Sequence, residues 1–143
     1  MKSLFLILVL GFCIANANYT GIWKGEGVLS NSKGNAWYCD DIVVIVSQSS
    51  DQFEFGRFEY GCGDLSFNFV PPVLKFDENQ NTRWKDQYIG RFTDTIVDFL
   101  FKREREGHFS KYTVRREGNV LDYQDDQIYP DHTTSLRAKL YKQ

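Results

Sequence analysis

The stretch Cys39-Asp40-Asp41-Ile42-Val43-Val44-Ile45-Val46-Ser47-Gln48-Ser49-Ser50-Asp51-Gln52-Phe53-Glu54-Phe55-Gly56-Arg57-Phe58-Glu59-Tyr60-Gly61-Cys62 decides the fold. Two runs rich in β-branched and aromatic residues, Asp41 to Ser47 and Gln52 to Tyr60, flank the polar segment Gln48 to Asp51, which is the signature of a β-hairpin. A turn centred on Ser50-Asp51 sets Cys39 opposite Cys62. Residues paired in this way across antiparallel strands lie about 4.5–5.5 Å apart at Cα, within the span of a disulfide. Strand pattern and cysteine spacing thus point independently to one stapled hairpin.

The same texture continues in both directions. Turn signals recur at Ser30–Gly34, Gly61–Asp64, Asp77–Asn81, Glu104–Gly107, Glu117–Asn119 and Pro130–His132. Between them lie short β-rich segments: Tyr19–Leu29, Asn35–Ser47, Gln52–Tyr60, Leu65–Val70, Val73–Phe76, Arg83–Ile89, Phe92–Phe101, His108–Arg116, Val120–Gln124 and Thr133–Tyr141. No segment after the N-terminal leader carries an apolar stripe at helical spacing. The expected class is all-β, a single antiparallel up-and-down β-barrel of about 8–10 strands, because a meander of that length must close or split. A β-sandwich is the alternative.

Residues 1–17 read as a signal peptide. Met1-Lys2-Ser3 is a basic start, Leu4–Ile14 an apolar run, and Ala15-Asn16-Ala17 a small-x-small cleavage site. Residues 18–143 then form one domain, exported to a periplasm or secreted. Cys13 leaves with the leader. Cys39 and Cys62 remain as an even pair, which in an exported chain implies a disulfide. Phe12 before Cys13 disfavours a lipid anchor. No other segment is long and apolar enough for a membrane-spanning helix. With 17 basic and 19 acidic residues the chain carries a formal charge of −2, which argues against a nucleic-acid partner.

The first segment has the most specific pattern. Thr20-Gly21-Ile22-Trp23-Lys24-Gly25-Glu26-Gly27 places Gly21, Trp23, Gly25 and Gly27 on one face of a strand. Strand glycines mark bends and close backbone approaches, so Trp23 is expected to plug a barrel end. This stretch resembles the first strand of the calycin superfamily, which includes lipocalins, fatty-acid-binding proteins, avidins and nitrobindins. Its glycines look most like the nitrobindin pattern, and Leu136-Arg137-Ala138-Lys139-Leu140 is similar to the last strand of that family. The resemblance implies a barrel around a ligand cavity. Where nitrobindins carry the haem-ligating histidine this chain has Thr134-Ser135, so no haem or other cofactor is expected.

A first turn centred on Ser32-Lys33 pairs Lys24 with Asp41 and Trp23 with Ile42. Carried through the stapled hairpin, that register collects Trp23, Tyr38, Ile42, Val44, Phe55 and Arg57 on one face. If this face is inward, these residues form the expected ligand site, with Arg57 holding an anionic head group and the aromatics covering an apolar tail. A one-residue slip would turn every one of them outward. The mixed-charge segment Lys102–Glu117 and the acids Asp122, Asp125, Asp126 and Asp131 read as solvated surface, and His108 and His132 as turn residues. No triad, paired-carboxylate or metal-spaced motif is present, so no catalytic residues and no metal site are expected. The expected function is binding of a small hydrophobic or anionic amphipathic ligand; the alternative is an exported interaction protein, an inhibitor, adhesion or envelope-associated protein, with a filled interior.

Overall fold

The computed structural model describes residues 18–69, 73–85, 87–103 and 106–143; the expected signal peptide lies outside them. Eleven strands follow one another: β1 (Gly21–Asn31), β2 (Ala36–Gln48), β3 (Gln52–Cys62), β4 (Leu65–Phe69), β5 (Leu74–Phe76), β6 (Asn81–Trp84), β7 (Gln87–Phe92), β8 (Ile96–Lys102), β9 (Phe109–Glu117), β10 (Val120–Ile128) and β11 (Thr133–Lys142). Every pairing is antiparallel, and β1–β11 together with β2–β3 and β3–β5 close ten of the strands into a barrel. The barrel expectation holds, and the sandwich is excluded.

Among the described residues β4 pairs only with β3 and stands outside the closed ring. It shares the β3 edge with β5. Cys62 faces Leu65 and Phe53 faces Leu74, so the two short strands run end to end in one register. Between them the sequence carries Pro71-Pro72, two residues with no N–H to give a ladder.

Two expected segments needed correction. Arg83–Ile89 is not one strand: β6 ends at Trp84 and β7 begins at Gln87. Phe92–Phe101 likewise contains a turn, where the Thr93 hydroxyl accepts from the Ile96 N–H (3.0 Å) and Thr93 N–H donates to Ile96 O (2.8 Å). Neither turn contains a glycine or proline to break the β-rich run. β10 also runs further than expected, to Ile128.

Cys39 and Cys62 are paired across β2 and β3 and joined by a disulfide, as the hairpin reading requires. The register between them is not uniform, however. β2 bulges at Asp41, whose φ of 54° lies in the left-handed region that Asp tolerates better than most residues. β3 bulges in turn between Phe55 and Arg57. Each bulge inserts one residue and reverses the in–out alternation beyond it. The β1–β2 loop of Ser32 to Gly34, one residue longer than the expected two-residue turn, shifts the register by one and the β2 bulge by one more, so Trp23 pairs with Val44 and Lys24 with Val43, not with Ile42 and Asp41.

From the disulfide to the opposite end the interior is apolar apart from the buried Thr82 hydroxyl. Trp23, Ile42, Val44, Val46, Phe53, Phe55 and Phe58 are all buried there. Gly25 and Gly27 lie on the inner face of β1, where a β-carbon would collide with the Lys139 and Arg137 carbonyl oxygens of β11. These glycines allow the first and last strands to approach closely enough to seal the barrel.

Candidate functional site

The end where β1 starts and β11 finishes is plugged. Trp23 lies across it and donates its indole N–H to the Tyr19 carbonyl at 2.8 Å. Tyr19 is anchored by Gln48, whose side-chain oxygen accepts its N–H at 2.9 Å, and packs edge-on against Phe53. Phe92 joins the cluster and stacks on Phe76 at 4.3 Å. A ten-strand ring is wider than side chains of an eight-strand barrel would fill, and this end is filled by aromatic rings.

The opposite end is open. A cavity of about 470 Å³ lies there between the start of β2, the ends of β3 and β10, and the start of β11. Its walls are Trp37, Tyr60, Phe67 and Tyr129 with Leu29 and Leu136, and Tyr60 stacks on Phe67 at 4.7 Å. The size falls within the range of small-molecule sites, roughly 300–1,000 Å³.

The floor is polar, and alternation explains why. On β8 the inward positions Val97, Phe99 and Phe101 lead to Arg103; on β9 Ser110 and Tyr112 point in; on β10 Leu121 and Tyr123 lead to Asp125 and Gln127. Arg103 folds over the Phe101 ring at 4.6 Å and donates through Nε to Ser110 Oγ at 2.7 Å. Ser110 donates to Gln127 Oε1 at 2.7 Å, and Gln127 Nε2 donates to Asp125 Oδ1 at 2.5 Å and to the Tyr112 hydroxyl at 3.2 Å. Arg103 Nη2 also reaches the Tyr112 hydroxyl, at 3.3 Å. Above this chain, His108 approaches Gln127 Oε1 at 3.2 Å and stacks on Tyr129, whose other ring neighbour is His132.

Asp125 is 4% exposed, and burial in this aromatic surround pushes its carboxyl up to about 7, against the opposing pull of Gln127 and the more distant Arg103 charge. Its neighbour Asp126 faces the other way. Burial would raise that group too, but hydrogen bonds from Ser135, Gln124 and Arg137 outweigh it and hold it below the usual carboxylate range. Burial likewise pushes Tyr112 up to about 12 and raises Tyr60 and Tyr123, so all three phenols stay protonated at neutral pH.

Of the six residues expected to form the site, Trp23, Ile42, Val44 and Phe55 are buried in the packed half of the barrel and do not line the open cavity. Tyr38 and Arg57 are outside. Tyr38 donates to Glu26 on the outer wall, and Arg57, with a side chain 55% exposed, pairs with Glu59 at 2.6 Å. The bulges of β2 and β3 account for this reversal. Asp125 and Asp126 also depart from the surface reading, since both are buried; Asp122 and Asp131 are exposed as expected. Arg103, Asp125 and Gln127 were missed. The signal for them is the period-two pattern Phe99-x-Phe101-x-Arg103 and Leu121-x-Tyr123-x-Asp125-x-Gln127.

No protein-family model, curated protein or solved structure matches the chain.

Proposed function

We propose that this chain is an exported, lipocalin-like β-barrel that binds a small amphipathic molecule in its open end. The observation that carries the reading is the 470 Å³ cavity with aromatic walls and a hydrogen-bonded polar floor, closed off from the opposite end by the Trp23, Tyr19 and Phe53 plug. Such a site covers an apolar tail with ring faces and orients one polar group by a few fixed partners. A barrel filled by its own side chains would leave no space of this kind. The disulfide and the N-terminal leader support export, and a Gly-x-Trp strand that plugs one end is in keeping with the calycin resemblance.

Calorimetric titration of the mature, oxidised protein with decan-1-ol tests the reading, because this probe carries a tail and one neutral polar group. Saturable binding is expected. Thr134→Trp, which places a large ring at the cavity rim, should abolish it while leaving the melting temperature near that of the parent. Absence of binding, or binding that Thr134→Trp leaves unchanged, overturns the reading.

A further inference from the structure

The polarity of the hydrogen-bond chain can be read from one end. Arg103 can only donate, so Ser110 Oγ accepts from Nε and its single hydrogen goes to Gln127 Oε1. The amide is thereby oriented with Nε2 toward Asp125 and Tyr112. Three consequences follow at the cavity. Asp125 Oδ1 is taken as an acceptor, so the proton of the neutral acid resides on Oδ2. The Tyr112 oxygen already receives Gln127 and Arg103, and its own hydroxyl hydrogen has an acceptor beside it in Ser110, whose Oγ keeps a second lone pair. Arg103 Nη1 makes no hydrogen bond among the described residues.

A guanidinium N–H and a carboxylic O–H are therefore left without acceptors on a cavity floor whose other polar side chains serve one another. Only an acceptor group satisfies both, and a charged one is favoured by Arg103. Resting on the binding reading above, we propose that the floor binds the carboxylate of an amphipathic acid together with one proton held on Asp125, and that the ligand leaves when Asp125 ionises. A second negative charge beside the bound carboxylate would repel it at short range in a water-poor site.

The groups facing Asp125 are consistent with a switch near neutrality. Arg103 from the β8–β9 connection and Arg137 from β11 favour its ionised form, as does the Gln127 donor on its own strand. Asp126 opposes it, and Tyr60 of β3, Tyr112 of β9 and Tyr123 of β10 surround it with phenols that remain neutral. Burial outweighs the cations, and the acid titrates at about 7.

The test is calorimetric titration of the mature protein at pH 6 and pH 8.5 with decanoate, decane-1-sulfonate and decan-1-ol, with circular dichroism confirming the fold at both values. The sulfonate keeps its charge throughout, so any pH effect on it belongs to the protein. Decanoate and the sulfonate should both lose about tenfold or more in affinity at the higher pH, since linkage to one proton costs up to tenfold per pH unit above the group's value. Decanol should change little. Asp125→Asn, whose amide keeps a permanent donor in the same place, should bind decanoate equally at both pH values; Arg103→Leu should lose both anions and retain decanol. Decanol binding without decanoate binding, or decanoate affinity that is flat with pH, overturns the proposal and leaves the binding reading standing. Failure of all three probes removes both.

Discussion

At one end of the barrel the inward positions of the strands carry Trp23, Phe53 and Phe92; at the other, the same alternation delivers Ser110, Asp125 and Gln127. The plugged end is held by ring packing and by single hydrogen bonds such as the one from Trp23 to Tyr19. The open end keeps space, and its buried polar groups satisfy one another through a directed chain that begins at Arg103. At the open end a buried, protonatable acid is tolerated at a cost to stability. Function-bearing sites are commonly the less stable parts of a fold.

Substitutions at the two ends should accordingly differ in sign as well as size. Trp23→Ala at the plug removes a fully buried indole and should cost about 3–5 kcal/mol in chemical denaturation. The same substitution should leave ligand affinity intact wherever the variant is folded, because Trp23 does not line the cavity. Replacing both Cys39 and Cys62 by Ser opens a link across a sequence separation of 23 and should cost roughly 3 kcal/mol by freeing the unfolded chain.

Asp125→Asn should act in the opposite direction. The folded carboxyl titrates at about 7 and the unfolded one near 3.8, so below about pH 4 both states hold the proton and the residue carries no charge penalty. Between those values the unfolded chain ionises first, and stability falls as pH rises; above pH 7 the full penalty is present. At about 1.4 kcal/mol for each pH unit between the two values, Asp125→Asn should stabilise the barrel by up to about 4 kcal/mol at pH 8.5 and by little at pH 4. Parallel denaturation curves at the two pH values check this. A gain of equal size at both would show that the buried charge is not its source.

The smallest effect is expected outside the wall. Arg57→Ala breaks an exposed pair with Glu59 and should change stability by less than about 0.5 kcal/mol. Decanoate titration of that variant should give the parent affinity; a tenfold loss would move the anion site to the outer face and dissolve the contrast between the ends.

Much of the architecture was legible in the sequence because its signals are local. Alternation in β2 and β3 and the positions of Cys39 and Cys62 specify the stapled hairpin, and Gly25 and Gly27 mark the seam where β1 meets β11. The facing of β2 and β3 was not legible past Asp41 and Gly56, because each bulge inserts a residue and neither site breaks the β-rich composition. The site itself was obscured for a different reason. Reading β10 as ending at Gln124 left Asp125 on solvated surface and Gln127 outside any strand, and the charges of Lys102–Glu117 made Arg103 look like surface. Polar residues at the end of an alternating strand resemble a turn in composition, and only the continued parity with Leu121 and Tyr123 separates the two.

The most direct test of the central claim is native mass spectrometry of the mature, oxidised protein purified from its own host at pH 6, repeated after exchange to pH 8.5. The account predicts one small amphipathic molecule per chain at pH 6, released by denaturation and identifiable as an acid, with the bare chain predominating at pH 8.5. A bare chain at both values that gains no mass on incubation with decanoate or decan-1-ol would contradict it, and would make the open end a structural hollow instead of a binding site.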